Sequence, residues 1–187
     1  MKFEPTDILL KNGLTVHIRQ GTTDDAEQLI HAMKGILHET EFLLMEEGEF
    51  NMTIEQEREW LKNFDTIDTT IYLVATHSGK IVGNLGIVGN NIQKLIHTTS
   101  LGISIYNEWQ NIGLGRQLIQ HAICWAKEKT QLEIIWLDVF SLNTNACALY
   151  QKLGFIEEGR QKNFVKLSGN RYCDKITMSL PLHPVTL

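Results

Sequence analysis

Two glycines one residue apart, Gly113 and Gly115, stand between an apolar run and an amphipathic run, and they restrict the available folds more than any other segment. Leu101 to Tyr106 before them reads as a strand, and Arg116 to Lys129 after them reads as a helix. The loop between is Gln110-Asn111-Ile112-Gly113-Leu114-Gly115-Arg116. Neither glycine carries a Cβ, so the backbone can turn sharply there and lie close to a ligand. A helix that starts at once leaves several N–H groups without helical carbonyls, pointing outward with the positive end of the helix dipole. That arrangement binds phosphate, so strand, loop and helix together predict a site for a pyrophosphate-bearing cofactor.

What the loop lacks narrows the cofactor. A Walker loop requires Gly-Lys-Ser or Gly-Lys-Thr, and here Arg116-Gln117 follows Gly115. A dinucleotide fingerprint requires a third glycine three residues after Gly115, where Leu118 stands. By itself a glycine pair after a strand is equally a plain tight connection, so the rest of the chain has to decide.

Residues 1–187 read as a single domain, long enough to bury a core. With 43% hydrophobic and 21% charged residues, the composition is that of an ordinary globular protein. A formal charge of −5 argues against non-specific nucleic-acid binding, which needs a basic face, and is compatible with a cationic acceptor such as an amine. Cys124, Cys147 and Cys173 form no CxxC pair and read as small buried hydrophobes in a reducing cytosol. The seven histidines show no metal-ligand spacing, so no metal is expected. No long apolar stretch follows Lys2 and no run approaches bilayer length, so the expectation is a cytoplasmic chain without a membrane partner.

Leu14 to Arg19 alternates as a first strand, and Thr22 to Asp25 supplies N-cap residues for a helix carrying Ala26, Leu29, Ile30 and Met33. Thr53-Ile54-Glu55-Gln56 fits a capping box that opens a second helix, reaching about Phe64. Between the two, His38 to Met45 reads as an irregular connection facing substrate. Ile71 to His77, Lys80 to Gly89 and Thr98 to Tyr106 read as strands, the first two joined at Ser78-Gly79. The helix after the glycine loop buries Leu118, Ile119, Ala122, Ile123 and Ala126. Leu132 to Phe140 is apolar enough to predict a central strand covered on both faces. A short helix from about Asn143 stops at Gly154, and two last strands, Phe155 to Lys166 and Arg171 to Leu180, turn at Ser168-Gly169-Asn170. The order β-α-α-β-β-β-α-β-α-β-β predicts an α/β (α+β) domain with a mixed sheet and helices on its faces.

This order, with Gln110-Asn111-Ile112-Gly113-Leu114-Gly115 after the fourth strand, resembles the GNAT N-acetyltransferase superfamily and its Q/R-x-x-G-x-G/A loop. Asn143, Ala146, Leu149, Tyr150, Lys152, Gly154 and Phe155 fall at the spacing of that family's N-x-x-A-x-x-L-Y-x-K-x-G-F segment. The resemblance runs from about Thr15 to Leu180 and is nearest to stand-alone bacterial members akin to ribosomal-protein N-terminal and small-amine acetyltransferases. It implies a largely antiparallel central sheet of about seven strands flanked by about four helices. It further implies acetyl-CoA as cofactor, with the pyrophosphate on the amides of Asn111, Ile112, Gly113, Leu114, Gly115 and Arg116. The pantetheine arm would then pair with the fourth strand near Ile103 to Ile105. Backbone N–H groups there would stabilise the oxyanion formed from the thioester.

Residue roles follow from the same resemblance. Tyr150 matches the family tyrosine whose hydroxyl protonates the CoA sulfur; from spacing alone it is equally an aromatic on the buried face of a short helix. Asn143 is a cofactor contact by resemblance and a helix cap by position. Lys152 and Arg116 are candidates for the CoA phosphates or plain surface cations, and Gln110 leads into the loop. For the base that frees the amine, Glu41 is the candidate, as base or acceptor contact, with Glu39, Glu46 and Glu47 as equal-looking neighbours. Asp174 reads as a member of a structural ion pair, and His97 has no supporting spacing. The acceptor side, about residues 38–51 and 164–172, is rich in glutamate, which suits a small-molecule amine or a peptide N-terminus; a solvated acidic loop is the plain alternative. A non-catalytic CoA-binding sensor and an ATP-binding domain are the competing functions. Dimers are frequent among relatives, so a homodimer is admitted by analogy.

Overall fold

The computed structural model describes residues 3–129 and 131–183. Its strands are β1 Thr6–Leu9, β2 Thr15–Gln20, β3 Ile71–His77, β4 Lys80–Gly89, β5 Thr98–Ile105, β6 Ile134–Phe140, β7 Ile156–Lys166 and β8 Tyr172–Pro181. Its helices are α1 Ala26–Glu39, α2 Ile54–Thr66, α3 Leu114–Lys127 and α4 Thr144–Lys152. The strands form one sheet in the order β1-β2-β3-β4-β5-β6-β8-β7, and every pairing is antiparallel except β5 with β6. The mixed sheet with four helices is as expected. The eighth strand, β1, is the addition. It has four residues with only Thr6 and Ile8 half-buried, too short for alternation to register, and it is a strand because Thr6 to Leu9 pairs with Ile18 to Thr15.

Local chemistry sets several element ends. Thr53 Oγ1 accepts from the Gln56 N–H at 3.2 Å while Gln56 Oε1 accepts from the Thr53 N–H at 2.9 Å, the reciprocal box expected at the start of α2. Ser78 and Gly79 both take positive φ, 49° and 77°, the twist a two-residue hairpin needs. Ahead of α1, Arg19 donates to both carboxylate oxygens of Asp25, at 2.6 and 2.7 Å, and the Thr22 N–H donates at 2.8 Å. Burial alone would raise the Asp25 pKa, but Arg19 and Thr22 outweigh it and hold the carboxyl below its ordinary value.

Helices α1 and α2 cover one face of the sheet, packing Ala26, Leu29, Leu61 and Phe64 on Tyr72, Val74 and Ile81. The larger core lies on the other face, where Leu118, Ile119 and Ala122 of α3 meet Leu73, Leu85, Ile135 and Met178. Ile71 to Ala75 of β3 is therefore buried on both sides. β6, expected to be covered on both faces, is not: Ile135, Leu137 and Val139 are buried, Trp136 is half-buried and Asp138 exposed. The reason is that α1 and α2 lie over β3 and β4 and do not extend across β6. The three cysteines are free thiols; Cys173 is buried and Cys147 half-buried, whereas α3 turns Cys124 to solvent, against expectation. Among the described residues no helix is long and apolar enough to cross a membrane.

Candidate active site

The sheet opens where β5 and β6 part. Their parallel pairing covers only Thr98 to Ser100 against Ile134 to Trp136, yet β5 runs on to Ile105 and β6 to Phe140. Beyond Ser100, β5 keeps its partner on one side, with Ile105 opposite Gly83 on β4, and has none on the other. The Tyr106 N–H donates to the Val82 carbonyl on β4, so backbone alternation turns the polar groups of Leu101, Ile103 and Ile105 toward the gap. Gln110 confirms that direction: its Nε2 donates to the Ile105 carbonyl at 3.0 Å and to Asn107 Oδ1 at 3.0 Å. An extended ligand entering the gap therefore finds a strand edge on which, among the described residues, the backbone groups of Ile103 are unused, while the Ile105 carbonyl is held by Gln110.

The glycine loop closes one end of this gap. Asn111 at φ 61° and Gly113 at φ 104° bend the chain into α3, and Gly113 is the N-cap without a side-chain cap. The first helical amides, Leu114, Gly115 and Arg116, thus precede the first α-helical bond, in which the Gln117 N–H donates to the Gly113 carbonyl at 3.1 Å. The loop is anchored from outside by the Lys11 N–H, which donates to the Ile112 carbonyl at 3.1 Å. Gly115 has no positive φ, and an added Cβ would sit 3.4 Å from Ile105 Cδ1 and 3.4 Å from Leu149 Cδ2, an ordinary contact distance. The fold itself does not demand glycine there, so the residue fits a site where a ligand must approach the backbone. Arg116 is exposed beside these amides and has no partner among the described residues.

The same contacts set Leu149 of α4, the residue before Tyr150, against Gly115 of the loop. Tyr150 is 7% exposed, packed edge-on to Phe155 at 5.8 Å, and its hydroxyl has no partner among the described residues. Burial, and then the neighbouring Cys147 thiol, push its pKa up to about 12, so it stays a proton donor well above neutrality. Asn143 Oδ1 accepts from the Ala146 N–H at 3.2 Å, which is the capping role; its amide N–H groups remain available. Lys152 is exposed in the last turn of α4.

The opposite face of β5 carries a cavity of about 490 Å³ beneath α2. Gly102 and Ser104 of β5, Asn84 of β4 and Tyr72 of β3 form its floor, and Glu57, Trp60 and Phe64 of α2 form a wall. Leu43, Phe50 and Met52 of the α1–α2 connection complete it; of the stretch His38 to Met45, Leu43 alone lines the cavity. Trp60, Phe64 and Tyr72 contact one another with ring centroids 4.7 to 5.2 Å apart. Glu57 is 4% exposed, and burial pushes its pKa up. The sequence reading passed over Glu57, although a signal was present: it shares the inward stripe of α2 with Leu61 and Phe64, where a carboxylate is out of place. A second cavity of about 360 Å³ is lined by Phe3, His121 and Trp125 and by none of these groups.

Glu41 does not line the cavity; it is exposed and receives a hydrogen bond from Arg171 on the β7–β8 turn. Glu39 is committed elsewhere, its Oε2 accepting from the Asn107 N–H at 2.9 Å. Glu47 pairs with His38 at 2.8 Å, and the Glu46 N–H donates to Glu49 at 2.9 Å. Asp174 pairs with Arg160 at 3.4 Å and accepts from the Asn163 N–H at 2.9 Å, the structural role expected of it.

Comparison with known proteins agrees with this geometry. Residues 37–155 match the family model described as the acetyltransferase (GNAT) family. The [ribosomal protein bS18]-alanine N-acetyltransferase of Escherichia coli (strain K12) is 36% identical over 88 residues, 47% of this chain and 58% of that protein, so the match spans little more than half of the relative. A solved GNAT-family acetyltransferase from Streptococcus pneumoniae superposes with a TM-score of 0.85 at 30% identity, covering 89% of this chain and 99% of that one. YncA of Salmonella typhimurium, solved with its cofactor acetyl-CoA, shares the fold at a TM-score of 0.79 and 17% identity, over 92% of this chain and 96% of that one. With its glycine loop, parted strands and tyrosine helix inside the matched region, this chain belongs to the GNAT acetyltransferase family.

Proposed function

We infer that the chain moves an acetyl group from acetyl-CoA to a primary amine by direct attack on the thioester. The observation that carries this reading is the meeting, at the glycine loop, of a β5 edge unpaired beyond Ser100 with the uncapped start of α3; the Tyr150 hydroxyl, without a partner among the described residues, supports it. The amides of residues 111–116, with Arg116, would hold the diphosphate, the loop's glycines letting it lie against the backbone. Ile103 and Ile105 offer the strand edge for the extended arm, and Asn143 and Lys152 lie on the helix beside it. Bound acetyl-CoA supplies a thioester carbon open to a neutral amine. N–H groups along the β5 edge stabilise the charge that develops on the carbonyl oxygen, and Tyr150 gives its proton to the departing sulfur. Glu41, already engaged by Arg171, fits an acceptor contact better than a base. The reaction needs no metal from this chain, and a cytoplasmic setting, where acetyl-CoA is present, is part of the proposal.

Calorimetric titration with acetyl-CoA, CoA and ATP, followed by CoA release on addition of amines, tests the reading. Acetyl-CoA binding with amine-dependent release of CoA is the expected result. No measurable affinity for acetyl-CoA or CoA at millimolar concentration overturns it, and binding without transfer to any amine points to a CoA sensor.

A further inference from the structure

Two carboxylates are buried among the described residues, Asp25 and Glu57, and the fold treats them differently. Arg19 and Thr22 answer Asp25. Among the described residues, Glu57 has neither a cation nor a hydrogen-bond donor on its side chain. A buried carboxylate without a counter-charge is costly and is driven toward its neutral form, so a cation entering beside it would favour the charged form again. Glu57 lines the cavity under α2, beside Trp60, Phe64 and Tyr72, whose ring faces attract a cation and whose edges accept an apolar body. Asn84, with its Nδ2 on Met33 Sδ at 3.5 Å, has its carbonyl oxygen uncommitted on the cavity floor. At Gly102 even an added Cβ would meet no atom within 4 Å, so the floor along β5 has room for a guest. A volume of about 490 Å³ suits a small molecule.

We propose that this cavity accepts a compact primary amine carried on an aromatic or branched apolar body, and that Glu57 receives its ammonium group and takes its proton. The proposal rests on the acetyl-transfer reading above. One ammonium proton passes to a Glu57 carboxylate oxygen. The freed lone pair forms the N–C bond to the acetyl carbon as the C–S bond breaks, its pair leaving on sulfur. A second nitrogen proton replaces the one that Tyr150 gives to the sulfur, and Glu57 returns its own to water.

The test uses the purified full chain with phenethylamine and with a short peptide beginning in alanine, comparing wild type, Glu57→Gln, Glu57→Asp and Trp60→Ala. Acetyl-CoA affinity is measured first, by calorimetry. The expected result is a kcat/KM for phenethylamine about ten-fold or more above that for the peptide, with Glu57→Gln lowering kcat about a hundred-fold while acetyl-CoA affinity stays within about two-fold. Glu57→Asp should recover part of kcat, which a purely structural role would not predict, and Trp60→Ala should raise KM for the amine with little change in kcat. Preference for the peptide, or a Glu57→Gln kcat within about three-fold of wild type, overturns the proposal while leaving acetyl transfer standing. Absence of acetyl-CoA binding in the wild type overturns both.

Discussion

Arg171 on the β7–β8 turn donates to the carboxylate of Glu41, a residue 130 positions earlier in the chain. The contact ties the α1–α2 connection to the last hairpin, the two segments expected to flank the acceptor. Both side chains are exposed, at 53% and 39%, so the pair is a surface one. Glu41→Gln should therefore change unfolding free energy by less than about 1 kcal/mol and leave kcat within about three-fold, while KM for a cationic acceptor rises. Denaturant unfolding and steady-state kinetics check this, and a hundred-fold drop in kcat would make Glu41 the base.

Tyr150→Phe should lower kcat by about a hundred-fold or more, with acetyl-CoA affinity unchanged, because only the proton donor is removed. The phenol's pKa, pushed up to about 12, also predicts that activity does not fall on its account between neutral pH and about pH 10. A pH–rate profile of kcat with a loss centred well below that range would show that Tyr150 is not the donor.

At Gly115, alanine should leave stability within about 0.5 kcal/mol of wild type or raise it, since a Cβ finds ordinary contact distances and helix propensity improves. Acetyl-CoA affinity should nevertheless fall by about ten-fold or more, because the Cβ intrudes where the diphosphate lies. Gly113→Ala differs: at φ 104° it strains the backbone and should cost about 1–2 kcal/mol in addition. Thermal unfolding with and without CoA separates the two effects.

The two buried carboxylates should move stability with pH in opposite directions. Asp25 has a lowered folded pKa, so its contribution is present above the unfolded carboxyl pKa and is lost as pH falls through the folded value. Arg19→Met, which strands that charge, should cost about 2 kcal/mol at neutral pH, less than a fully enclosed pair because Arg19 is 30% exposed. Glu57 has a raised folded pKa, so its contribution is present below the unfolded value and is lost as pH rises through the folded one. Glu57→Gln should thus raise the melting temperature at neutral pH and lose that advantage near about pH 4. Paired melting curves across this range check both signs.

Much of the fold was legible because its signals act over a few residues. The Thr53–Gln56 box, the Ser78–Gly79 turn, the glycine loop and the stripe of α3 each depend on neighbours within one or two turns of chain, and each lies where the sequence places it. The Tyr150 segment was legible as a motif rather than from physics: its spacing fits a buried aromatic equally well, and only the fold shows its hydroxyl without a partner among the described residues.

What the sequence alone determined is seven of the strands and the four helices, their order, and the loop and helix that mark the family. The tertiary structure alone decided where β5 and β6 part, that β1 joins the sheet, that Glu41 meets Arg171, and that Glu57 lies unanswered over an aromatic cavity. The reason is range. Periodicity and capping are energies of adjacent residues, whereas a strand edge without a partner, or a carboxylate without a cation, is a relation among segments far apart in the chain. Such a relation exists only once packing has chosen which of them meet.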